Sequence, residues 1–121
     1  MARTRYITRS LRVEETVPFS NAEEAWLWYA QCQTARDDGV RFTAGLAAIP
    51  RPCEPDDIAR EARRLYRQRV LQQAHLMVLM RFGRRMNAPS PLDCDQDVQA
   101  RLWDEALDRL TTPLRRKGIV A

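Results

Sequence analysis

The chain has 121 residues, 45% hydrophobic and 30% charged, which suits a single globular domain and excludes a disordered one. Its net charge is +4 with a pI near 9.4, a balance that a GC-rich genome, with its arginine codons, accounts for by itself, so the positions of the arginines say more than their number. No apolar run approaches the roughly 20 residues of a membrane span, and the opening MARTRYITRSLRV lacks the apolar stretch of a secretory signal. The expected setting is therefore the cytoplasm, with no membrane association.

Residues 1–18 form a basic arm punctuated by Arg3, Arg5, Arg9 and Arg12. Its apolar members Tyr6, Ile7, Leu11, Val13 and Val17 suit a short strand that Pro18 ends. A first helix is expected over 21–37, capped by the S-x-x-E pair Ser20 and Glu23. Ala22, Ala25, Trp26, Tyr29 and Cys32 make its inward stripe, and Asp38-Gly39 closes it. Pro50 and Pro52 forbid a helix in the loop 40–53, where Val40 to Thr43 could form a brief second strand.

The second helix begins at Pro55, with Asp56 and Asp57 at the positive end of its dipole. Ile58, Ala62, Leu65 and Tyr66 form one stripe, arginines fill the rest, and the helix breaks near 68–70. The third, 71–83, carries Leu76, Met77, Val78, Leu79, Met80 and Phe82 on nearly all sides, the mark of a central helix buried by its neighbours. Gly83 is expected to end it. After the proline-bearing loop 87–95, a fourth helix over 96–111 packs Val98, Leu102, Trp103, Ala106, Leu107 and Leu110, with Asp97–Arg101 and Glu105–Arg109 as favourable i,i+4 pairs. Thr112-Pro113 opens a final turn stopped by Gly118.

The expected fold is all-α: a compact bundle of four main helices over residues 19–121, a basic N-terminal arm over 1–18, and room for a minor two-strand pairing. Its core should hold Trp26, Tyr29, Ile58, Leu65, Leu76, Leu79, Phe82, Leu102, Trp103 and Leu107.

No catalytic constellation stands out, and an enzyme is not expected. The single histidine, His75, fits a structural role, and the acidic pairs Glu23-Glu24 and Asp56-Asp57 are explained by helix capping. Gly-rich phosphate loops and nucleophile elbows are absent. Cys32, Cys53 and Cys94 are widely separated, with no C-x-x-C pair, so neither a metal nor another cofactor is expected. Cys53 precedes a helix start that would lower its pKa. The carboxylates of Glu54, Asp56 and Asp57 should outweigh that dipole.

The arginines carry the functional expectation. Only Lys117 among the 20 basic residues is lysine. Residues 60–69 set Arg60, Arg63, Arg64, Arg67 and Arg69 against Glu61 alone, and Arg81, Arg84 and Arg85 follow. Such a cluster can neutralise phosphates, although a solvated helix face explains the same pattern. The leading expectation is a small DNA-binding regulatory protein. Arg60, Arg63, Arg64 and Arg67 would hold phosphates, with Arg84 and Arg85 nearby. Arg3 and Arg5 would reach a groove, and Arg69, Gln72 and Gln73 would meet base edges. The alternative is a helical protein-interaction module or adaptor, a homodimer in its simplest form, with no nucleic-acid role. It rests on the run Trp26-Leu27-Trp28-Tyr29, where Leu27 or Trp28 must point away from the core and could anchor an interface.

The segment 55–83, with its stretch L-x-x-x-H-x-x-V-L-x-x-F-G from Leu71 to Gly83, resembles the helix-turn-helix of sigma-factor-type and phage regulators, which implies transcription regulation through DNA. Here Gly83 is followed by a proline-rich loop and an acidic helix rather than a basic recognition helix. At IPRPCEPDDI and RLWDEALDRL the chain also resembles uncharacterised small helical bacterial proteins of GC-rich proteobacteria, a resemblance that implies no activity.

Overall fold

Four α-helices account for most of the chain in the computed structural model, which describes residues 16–39 and 49–121. They are α1 (Ala22–Asp37), α2 (Pro55–Arg67), α3 (Gln73–Arg84) and α4 (Asp97–Arg116), with a 3-10 turn (Cys94–Gln96) leading into α4. Every pair of helices is in contact, and the fold is the expected all-α bundle. Among the described residues no helix is long and apolar enough to cross a membrane. The arm up to residue 15 and the proposed strand at Val40 to Thr43 lie outside the described residues.

Capping residues explain where the helices begin. At α1 the cap sits one residue later than the sequence suggests. The Asn21 side chain accepts the Glu24 N–H at 2.8 Å, and the Ser20 N–H donates to Glu24 Oε1 at 3.0 Å. Glu23 is thereby free to accept the indole N–H of Trp103 at 2.8 Å. Pro55 opens α2 as expected, with the Glu54 N–H donating to Asp57 Oδ2 at 2.8 Å. At α3 the N-cap is Gln72, and His75 in the first turn reaches back to it: its Nδ1 accepts the Gln72 N–H at 3.0 Å. That bond places the ring proton on Nε2, which donates to Glu105 Oε1 at 3.0 Å. His75 is 2% exposed, and its hydrogen bond holds the exposed Glu105 carboxyl below the usual glutamate range. The lone histidine thus joins α3 to α4, which fits its structural role.

The core holds Trp26, Ile58, Leu65, Leu79, Phe82, Trp103 and Leu107, as expected, together with Phe19, Leu71, Leu110, Leu114, Ile119 and Val120. Tyr29, Leu76 and Leu102 only flank it. Both chain ends of the bundle are sewn in. Phe19 and Val120 form an isolated parallel bridge, with the Phe19 N–H on the Ile119 carbonyl and the Ala121 N–H on the Phe19 carbonyl, each at 2.9 Å. Arg51 lies 4.2 Å over the Phe19 ring. This bridge is the one strand-like pairing among the described residues.

Three expectations need correction. First, α3 is not buried on all sides: Met77 is 63% exposed and Met80 58%. Its polar positions Gln73, Arg81 and Arg84 mark an outward stripe that also contains the two thioethers. Second, Gly83 does not end α3 but lies inside it. A Cβ there would meet Trp26 Nε1 at 2.9 Å and the Ala30 methyl at 3.2 Å, so glycine is present for close approach of α1. Third, α4 runs on through Pro113 to Arg116. Proline removes the donor that the carbonyl four residues earlier would use. Burial of Pro113 and Leu114 in the core compensates.

One buried charge is handled by pairing. Glu61 is 1% exposed on the inner face of α2 and meets Lys117 Nζ at 2.6 Å and Arg64 Nη1 at 3.5 Å. The pairing fastens the end of α4 to α2.

Candidate nucleic-acid interface

On α2 the outward row is Arg60, Arg63, Arg64 and Arg67, all exposed. Two of them are engaged: Arg60 Nη1 pairs with Asp57 Oδ1 at 3.1 Å, and Arg64 reaches the buried Glu61. Among the described residues, no carboxylate lies within ion-pair distance of Arg63, Arg67 or Arg69.

The turn after α2 decides how these side chains are placed. The Val70 N–H bonds to the Leu65 carbonyl at 2.9 Å and the Arg69 N–H to the Tyr66 carbonyl at 3.0 Å, a Schellman closure. It requires a left-handed residue at position 69, and Arg69 adopts φ 62°. A side chain in that conformation costs roughly 1 kcal/mol relative to glycine. Gly39 and Gly118 fill the equivalent position after α1 and α4 without that cost, and Met86, at φ 56°, fills it after α3 at a similar cost.

Between this turn and the first residues of α3 lies a shallow cleft of about 460 Å³. Tyr66, Arg67, Arg69 and Gln72 line it above the buried Leu71. The cleft therefore offers two guanidinium forks without a carboxylate partner among the described residues, an amide, and Tyr66, which is 44% exposed. Guanidinium forks match phosphate oxygens, and an exposed aromatic face can stack on a base.

The structure gathers part of the expected set and separates the rest. Arg67, Arg69 and Gln72 share the cleft; Arg63 is on the row beside it, and Gln73 is exposed on the first turn of α3. Arg84 and Arg85 lie at the other end of α3, roughly 16 Å away at 1.5 Å per residue. Arg85 is placed 5.5 Å over the Phe82 ring. Arg3 and Arg5 lie outside the described residues. Leu27 and Trp28 are half-buried and pack on the core, with the Trp28 ring 5.2 Å from Phe19.

Tyr66, expected on the core stripe with Leu65, is instead 44% exposed, whereas Leu65 is buried. Tyr66 stands at the edge of that stripe, about 100° from Leu65 and about 80° from Ile58, and turns outward there. That spacing was the available signal.

The two described thiols, Cys32 and Cys53, sit half-buried, where burial disfavours the thiolate and raises both. Burial is the largest effect at Cys53, followed by Asp57 and Glu54, and together they push it up to about 11. It should thus stay protonated through the neutral range and form thiolate only as pH approaches 11. Alkylation of the folded protein by iodoacetamide, followed by peptide mass, should show Cys53 labelling slowly at pH 7.5 and faster with rising pH. Rapid labelling at pH 7.5 would contradict this environment. Among the described residues no group of three or more His, Cys, Asp or Glu side chains converges as a metal site would require.

No family model, curated protein or solved structure matches this chain.

Proposed function

We propose that this chain is a small nucleic-acid-binding protein, with duplex DNA as its expected ligand and regulation as its expected role. It would grip the phosphate backbone through Arg63, Arg67 and Arg69, while Gln72 and Gln73 lie at base edges. The observation that carries this reading is the cleft itself, where Arg67 and Arg69, neither with a carboxylate partner among the described residues, stand beside Gln72 and the exposed Tyr66. Guanidinium forks grouped with an amide and an aromatic ring suit a phosphate backbone and its bases. Engagement of Arg60 and Arg64 by carboxylates leaves them a lesser part.

The variant Arg69→Gly separates the two roles. It should raise unfolding free energy by about 0.5–1 kcal/mol in urea titration. The same variant should bind a random duplex several-fold more weakly by fluorescence anisotropy, since one phosphate contact is lost. Unchanged affinity in a stabilised variant would remove Arg69 from the interface.

A further inference from the structure

We propose that a second surface, the apolar groove between α3 and the first turns of α4, docks an acidic amphipathic helix of another protein. The groove measures about 440 Å³. Val78 and Leu102 belong to its floor, and Met77, Met80 and Val98 to its walls. Val98 is 61% exposed, comparable to the two methionines. A small bundle ordinarily covers the outside of its helices with long polar side chains. A contiguous apolar strip on two neighbouring helices is the usual mark of an interaction site. Two packed helices present a channel into which a third can lay its apolar face. Thioethers suit such a wall because they are unbranched and polarisable, and can repack around a partner's side chains.

Charge decides the occupant. Arg81 and Arg84 border the groove, and among the described residues no carboxylate pairs with either. A partner helix flanked by glutamate or aspartate would meet both guanidinium groups at the rim while its leucines fill the floor. The chain's own segments fit poorly, because residues 1–15 carry Arg3, Arg5, Arg9 and Arg12 against Glu14 and Glu15 alone, and residues 40–48 carry Arg41 and no carboxylate. A second copy also fits poorly. A two-fold contact sets the same patch against itself. Four guanidinium groups would then surround one apolar interface, with no carboxylate among the groove residues. The groove shares no lining residue with the cleft at Arg69, and the inference stands independently of that site.

The test uses the full chain with ¹³C-methyl-labelled methionine and a synthetic amphipathic helix of about 18 residues. The peptide carries leucines at i, i+3, i+4 and i+7 and glutamates on its flanks, and a matched peptide carries lysines instead. The Met77 and Met80 methyl signals should shift saturably with the glutamate helix, with a dissociation constant in the micromolar range, while Met86 stays still. Met77→Glu and the pair Arg81→Glu with Arg84→Glu should each weaken binding by about tenfold without changing the melting temperature, because these side chains are exposed. The double variant should turn the preference towards the lysine helix. Three results would overturn the proposal. They are no shift at about millimolar peptide, equal affinity for both peptides, and Met77 and Met80 shifts that follow protein concentration alone, which would assign the groove to a second copy.

Discussion

Leu79→Ala should cost about 2–5 kcal/mol of unfolding free energy, whereas Met77→Ala should cost less than about 0.5 kcal/mol. The two side chains are two residues apart on α3 but on opposite faces. Leu79 is fully buried in the cluster that joins all four helices, so truncating it removes apolar contact and leaves a cavity that the neighbours fill only in part. The Leu79 carbonyl also accepts the buried Trp26 indole N–H at 2.8 Å, which limits how far α1 and α3 can close over the gap. Met77, 63% exposed, loses little when shortened. Urea midpoints of the two variants measure the contrast. Equal losses would mean that α3 is buried on both faces, which the exposure of its methionines denies.

Gly83→Ala should destabilise the protein by about 1–3 kcal/mol, although alanine is the better helix former by about 1 kcal/mol. The new methyl would sit 2.9 Å from Trp26 Nε1 and 3.2 Å from the Ala30 Cβ. The indole is rigid, 4% exposed and tied to the Leu79 carbonyl, so it cannot swing aside without losing that bond. The helices must separate instead, and the packing of α1 on α3 loosens. Thermal unfolding should show a melting temperature several degrees lower. A variant as stable as the parent would mean that the closeness of α1 and α3 at this point is not needed.

Helical periodicity made the four helices legible, because each buries one stripe and exposes the other. The starts of α2 and α4 and the end of α1 follow from proline, acidic first turns and Asp38-Gly39. Other features depend on residues far apart in sequence. Gly83 looks like a terminator until α1 is placed against it, since only the Trp26 ring shows why a side chain is excluded. Glu61 looks like one member of a charged helix until Lys117, 56 positions later by numbering, meets it in the interior. The outward face of α3 was legible in principle from the spacing of Gln73, Arg81 and Arg84, but the six apolar residues between them dominated. The richness of α2 in arginine could be read directly. The spacing of Asp57 with Arg60 and of Glu61 with Arg64 could be read too, but that Glu61 is buried could not, because its burial depends on how α2 packs in the bundle. The left-handed backbone at Arg69 had no sequence signal, as arginine is an unusual residue for that position.

On the proposed function, arginines at the turn between α2 and α3, which have no carboxylate partner among the described residues, bind the phosphate backbone. The most direct measurement of that claim is a salt series of affinity for random duplex DNA, with RNA alongside, for the parent chain and Arg69→Gly. The parent should show a linear fall of log affinity with log salt, with a slope of about −3 or steeper from Arg63, Arg67 and Arg69, and the variant should be shallower by about one. No affinity at low salt, or an affinity that salt leaves unchanged, would contradict it.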